Sequence, residues 1–220
     1  MKTSLGRRVV SEFVSAAFLV SAVVGSGIMA ERLSGGNVAV ALLANTIATG
    51  AALVALIVAF GPISGAHMNP VVSVMDAVER GLPWSEVPAY VIAQVVGGIC
   101  GAVVAHAMFG LPMFSMSVHA RSGPAQVFSE FVATFGLIAI IEGASRLQSN
   151  LTPFAVGAYI TAAYWFTAST SFANPAVTIA RSFSNTFAGI RPQDALWFIA
   201  AQFSAGIAAT LLFRWLRVTT

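Results

Sequence analysis

Six mainly apolar runs take up most of this 220-residue chain. They lie at roughly 9–30, 37–60, 87–109, 126–141, 151–168 and 195–216. A helix needs about 20 such residues to cross the hydrocarbon core of a bilayer. In lipid every backbone N–H and C=O must be satisfied within the protein, which leaves helices and closed barrels, and runs of this length select helices. Charged residues make up 9% of the chain, against roughly 25% in an ordinary soluble domain, so they cannot coat a water-facing surface. Lys2, Arg7 and Arg8 precede the first run, yet that run exceeds the ~7–15 apolar residues of a secretory leader and reads as the first span. The net charge of +3 sits mostly in the tails and gives no case for nucleic acid. Cys100 is the lone cysteine, so no internal disulfide is possible. No His, Cys and carboxylate group has metal-ligand spacing, and no cofactor is expected.

The chain repeats itself. "SEFVSAAFLV" (11–20) matches "SEFVATFGLI" (129–138), and "AQVVGGICGAVVA" (93–105) echoes "AQFSAGIAATLLF" (201–213). Between these markers each half carries one Asn-Pro, in "GAHMNPVVSV" (65–74) and "SFANPAVTIA" (171–180), followed by a segment too short to cross. The order is span, span, half-helix, span, and then the same again. Three spans per half make the repeats, about 1–115 and 120–220, inverted about an axis in the membrane plane. The prediction is therefore an all-α membrane channel domain over 1–220, with six transmembrane helices and two re-entrant half-helices. With the N-terminus inside, Lys2, Arg7, Arg8, Arg80, Arg146, Arg214 and Arg217 lie on the inner side and Arg32, Arg121, Arg181 and Arg191 outside. Seven basic residues against four favour cytoplasmic termini.

Asn is a good helix N-cap and Pro is favoured at the first helical position. Asn69-Pro70 and Asn174-Pro175 should each start a short helix, one entering from each face, with their tips meeting near the midplane. Each tip carries about half a positive charge. The asparagines would offer amide N–H groups to a lumen. Gly65, Ala66 and His67 in one half, and Ser171, Phe172 and Ala173 in the other, would be non-helical and offer a ladder of carbonyls. Irregular backbone at that depth survives only when buried in protein or lining water. Such a pore passes neutral hydrogen-bonding solutes and repels cations, protons included.

On these residues the chain resembles the major intrinsic protein family, the aquaporins and aquaglyceroporins. "SGAHMNP" and "SFANPAV" look like the two family signatures, and "SEF" and the segments of Gln94 and Gln202 also fit. The resemblance implies a pore within each subunit, a homotetramer in the bilayer, and Asn69 and Asn174 as the paired pore asparagines. Val177 stands where most members have the arginine of the outer selectivity filter, a loss of fixed charge and several donors. Family spacing places the other filter positions at Thr49, at Ala162 (Tyr159 or Tyr164 if a gap intervenes) and at Ser171 with Phe172 beside it. Small uncharged residues there imply a wide filter. It would pass water, glycerol, urea-like polyols, and arsenous acid and similar metalloids. Bacterial members associated with arsenicals also carry sequences like "NPAVTIARSF", which implies a bacterial plasma membrane.

Arg181 lies seven residues after Asn174, on nearly the same helical face and about 10 Å further out, so it is a candidate for the outer vestibule. Glu12 and Glu130 are equivalent residues inside apolar spans. Intramembrane carboxylates are functional suspects. As proton carriers they would make the protein a proton-coupled secondary transporter. As acceptors for the re-entrant loop of their own half they would be structural, and repeat symmetry favours that reading. The chain is expected to be a passive channel and not an enzyme.

Overall fold

The computed structural model describes residues 3–147 and 149–217, without the side chains of 146, 147 and 149. Lys2 and the Arg146 side chain, two of the basic groups counted above, lie outside the described residues. Among those residues there are eight α-helices and no strand. They are α1 (Leu5–Leu33), α2 (Val38–Ser64), α3 (Pro70–Val78), α4 (Val87–Met108), α5 (Pro124–Leu147), α6 (Thr152–Phe166), α7 (Pro175–Arg181) and α8 (Pro192–Leu216). Five of them, α1, α2, α4, α5 and α8, are long and apolar enough to span a membrane. Helix α6 has 15 residues and a 3₁₀ turn, Ser149–Leu151, before it. Some helices run past the sequence-derived spans, as α1 begins at Leu5 rather than near Val9 and α2 continues through Pro62 to Ser64, whereas α4 and α6 fall short of theirs by one to three residues.

The two halves pack alike. Helix α1 lies against α2 and α4, and α5 against α6 and α8. Glycine permits the closest approaches, as is usual where helices meet in lipid. A Cβ on Gly97 or Gly101 would lie 2.3 Å from the Phe13 carbonyl oxygen or 2.2 Å from that of Ala17, so α4 touches the backbone of α1. The short helices cross between halves. Gly206 of α8 makes room for Val71 and Met75 of α3, and Gly98 of α4 for Ala176 and Ala180 of α7. Large apolar side chains such as Phe18, Ile92, Phe128, Leu196 and Trp215 point outward. Glu12, Gln94, Glu130 and Gln202 are wholly buried. Polar groups inside and apolar groups outside is the distribution of a protein solvated by lipid around a polar lumen.

Candidate functional site

The two Asn-Pro segments meet. Asn69 Oδ1 accepts from the N–H of Val71 (3.0 Å), and Asn174 Oδ1 accepts from Ala176 (2.9 Å) and Val177 (3.3 Å), so each caps its own half-helix. Asn69 Nδ2 donates across to the carbonyl of Ala173 (2.8 Å), and Asn174 Nδ2 donates back to that of Met68 (2.7 Å). With one amide hydrogen used in each cross-link, the second is left for the lumen. Both asparagines line one cavity of about 290 Å³.

The backbone leading into each Asn is left-handed first at Gly65 (φ 92°) or Thr170 (φ 61°) and then, from the next residue, at alternate positions. Ala66 (φ 48°) and Met68 (φ 49°) correspond to Ser171 (φ 50°) and Ala173 (φ 47°). Alternation of this kind turns successive N–H groups to one side as a nest for an anion and leaves the carbonyls facing away. The anion here is a buried carboxylate. Glu12 accepts from the N–H of His67 (2.9 Å) and Met68 (2.7 Å), from Ser64 Oγ (2.7 Å) and from Gln94 Nε2 (2.8 Å). Glu130 accepts from the N–H of Phe172 and Ala173 (both 2.8 Å) and from Gln202 Nε2 (2.7 Å). Gln94 also donates to Ser73 (2.8 Å) and Gln202 to Thr178 (3.0 Å), which ties each carboxylate to its half-helix. The His67 ring sits between Ser73 Oγ (3.0 Å) and Asp76 (3.7 Å).

Of the carbonyl residues, Gly65, Ala66, His67, Ser171 and Phe172 line the cavity, and no donor among the described residues takes their oxygens. Ala173 differs: its carbonyl receives Asn69, as that of Met68 receives Asn174. Thr49, Ser171, Phe172 and Val177 all line the cavity and are nearly fully buried. Ala162 does not line it. It is exposed on the outside of α6, while Tyr164 faces the cavity with its hydroxyl 3.4 Å from Thr49 Oγ1. Two residues along a helix is a rotation of about 200°, so a two-residue slip in the spacing count exchanges lipid for lumen. Tyr159 instead donates to the Ala133 carbonyl (3.0 Å) between α5 and α6.

Arg181 lies deeper than a surface vestibule. It is 2% exposed, lines the cavity, donates from Nε to the Ala188 carbonyl and stacks on Phe172 with its guanidinium 3.4 Å from the ring centre. Arg121 lies 5.1 Å from the same ring and donates to the carbonyls of Gly189 (2.8 Å), Ser169 (3.3 Å) and Phe187 (3.4 Å). In the loop between α4 and α5, burial and then the charges of Arg121 and Arg181 hold His119 below its ordinary 6.5. The other mouth is acidic. Asp76, Glu79 and Glu142 line it, and Arg217 pairs with both glutamates.

The sequence reading gave no role to Ser64, Ser73 or Thr178, took Arg121 only as an outer-side charge, and took Gln94 and Gln202 only as features of resemblance. Ser73 and Thr178 each stand four residues after their Asn, a symmetry that could have revealed the pair.

A profile of the family described as "Major intrinsic protein" matches residues 1–171. The chain belongs to this family. It is 55% identical over 212 residues to aquaglyceroporin AqpS of Rhizobium meliloti (strain 1021), which covers 96% of this chain and 91% of that protein. It is 33% identical over 165 residues to aquaporin NIP3-1 of Oryza sativa subsp. japonica, covering 72% of this chain and 52% of that protein, about half its length. The fold matches the X-ray structure of the aquaglyceroporin from Plasmodium falciparum with a TM-score of 0.70, covering 96% of this chain and 94% of the other at 21% identity. The family is one of membrane channels rather than enzymes, and this member is an integral multi-pass membrane protein.

Proposed function

We propose that the protein is a passive aquaglyceroporin-type channel for water, glycerol, urea-like polyols and small neutral metalloid acids such as arsenous acid. The observation that carries the reading is the reciprocal pair of amide–carbonyl bonds between Asn69 and Ala173 and between Asn174 and Met68. That junction fixes two half-helix tips side by side, each directing partial positive charge at the lumen. Cations and protons meet a barrier there, while a neutral solute exchanges water for the free amide hydrogens and the carbonyls of Gly65, Ala66, His67, Ser171 and Phe172.

The filter is read as Thr49, Tyr164, Ser171, Phe172 and Val177. Val177 at that ring leaves room for a solute wider than water. Glu12 and Glu130 are read as anchors of the loops. Their oxygens already accept four and three donors, so a carried proton would have to displace one of them, which argues against a proton-coupled transporter. Both termini are placed in the cytoplasm of a bacterial plasma membrane. Seven basic residues on the inner side against four outside support that placement. A homotetramer is the assembly that the family implies.

Stopped-flow light scattering on proteoliposomes tests the reading, with water, glycerol and arsenous acid compared for wild type and Val177→Arg. The arginine should lower glycerol and metalloid flux relative to water. Unchanged ratios would remove Val177 from the constriction.

A further inference from the structure

The arginine missing at Val177 has a counterpart one turn along the same helix. Val177 and Arg181 are four residues apart on α7, both line the cavity, and both are nearly fully buried. Phe172 fixes the plane of the Arg181 guanidinium and the Ala188 carbonyl holds its Nε. No acceptor among the described residues takes its two terminal nitrogens, and neither is sealed in protein without a partner, so they face the cavity. Ser171, next in the chain to Phe172, is 3% exposed and lines the same cavity, but its hydroxyl oxygen is sealed in protein and supplies no donor to it. Arg121 adds a second positive charge behind Phe172, and its own contacts are carbonyls and a hydroxyl. The nearby Asp194 is occupied by Arg191 (3.0 Å) and by the backbone N–H of Arg121 (2.8 Å). The mouth therefore holds two guanidinium charges with no carboxylate hydrogen-bonded to either side chain; Glu130, held by the backbone of Phe172 and Ala173, is the carboxylate near enough to attract both.

We propose that this mouth is a binding site for a small oxyanion, held by the terminal nitrogens of Arg181. The anion is a blocker rather than a permeant. Past Val177 it would meet the carbonyls of Ser171 and Phe172, which repel negative charge, and an apolar wall that cannot solvate it. Neutral hydroxylated solutes use the same donors in passing. The inference rests on the channel reading for its consequence but not for the binding itself.

Inorganic phosphate is the probe. Calorimetric titration into the detergent-solubilised full chain reads binding without any flux. In parallel, glycerol efflux is measured with phosphate replacing chloride at constant ionic strength on both sides of the vesicle. Wild type should bind phosphate saturably, and glycerol flux should fall over the same concentrations. Arg181→Gln should weaken binding at least about tenfold, or ~1.4 kcal/mol, with Arg181→Lys between the two. Arg32→Gln, which removes an exposed charge on the same side, should leave both readouts unchanged. Absence of binding in wild type, or equal affinity in Arg181→Gln that elutes as a normal folded peak, overturns the proposal. Binding with no glycerol conduction in wild type would count against the channel reading and leave the anion site standing.

Discussion

Replacing Glu130 with Gln isolates what a buried carboxylate does at the second loop. The native carboxylate accepts the N–H of Phe172 on one oxygen, and the N–H of Ala173 and Gln202 Nε2 on the other. The amide keeps the shape but has one acceptor oxygen. Its better orientation places that oxygen toward Ala173 and Gln202, and an NH₂ then faces the N–H of Phe172. A stranded buried donor costs about 1–3 kcal/mol, and the two surviving bonds each lose roughly 1 kcal/mol of charge assistance. The total is about 3–5 kcal/mol, which in a chain of this size lowers Tm by at least ~6 °C. Flux should fall with it, because Ala173 also supplies the carbonyl that holds Asn69. Differential scanning fluorimetry in detergent reads the first effect and stopped-flow the second. A Glu130→Gln protein with native Tm and native glycerol flux would refute the anchoring role. If native protein took up solute uphill after a pH jump and the variant did not, Glu130 would be a carrier after all.

Gly101→Ala should destabilise by ~1–3 kcal/mol, since its Cβ would lie 2.2 Å from the Ala17 carbonyl oxygen. Gly61→Ala, with nothing within 4 Å, should not, and thermal melts compare the pair. Ala162→Leu, on the outer face of α6, should leave the glycerol-to-water permeability ratio unchanged, whereas Tyr164→Ala should raise it; the opposite pattern would restore Ala162 to the filter. Folding holds His119 below its ordinary 6.5, so the unfolded chain takes up the extra proton first and stability falls as pH drops through that range. His119→Gln should show a smaller loss of Tm between pH 7.5 and 5.5 than wild type.

Helix class, the order of long and short helices and the pairing of halves were legible because lipid imposes them: long apolar runs become spans, and an Asn-Pro beside a repeated marker becomes a capped half-helix. The partners of the carboxylates were less legible. Ser64 and Gln94 reach Glu12 from other helices, and a contact 52 or 82 residues away along the chain leaves no local pattern. Spacing alone left Ala162, Tyr159 and Tyr164 open on α6; Tyr164 lines the cavity and Ala162 is exposed, and apolar residues on both faces of the helix hide that difference in the sequence. Arg181 lines the cavity from α7, and its depth depends on Phe172 and Ala188, which spacing along one helix cannot show.

A lumen past two joined asparagines should conduct neutral solutes and no ions. Proteoliposomes containing the purified protein, examined for glycerol flux by stopped-flow and for proton flux with an internal pH dye under an imposed gradient, test it most directly. Glycerol flux should rise linearly with concentration without saturating, and proton flux should be no greater than that of empty vesicles. Saturable solute uptake coupled to proton entry would contradict it.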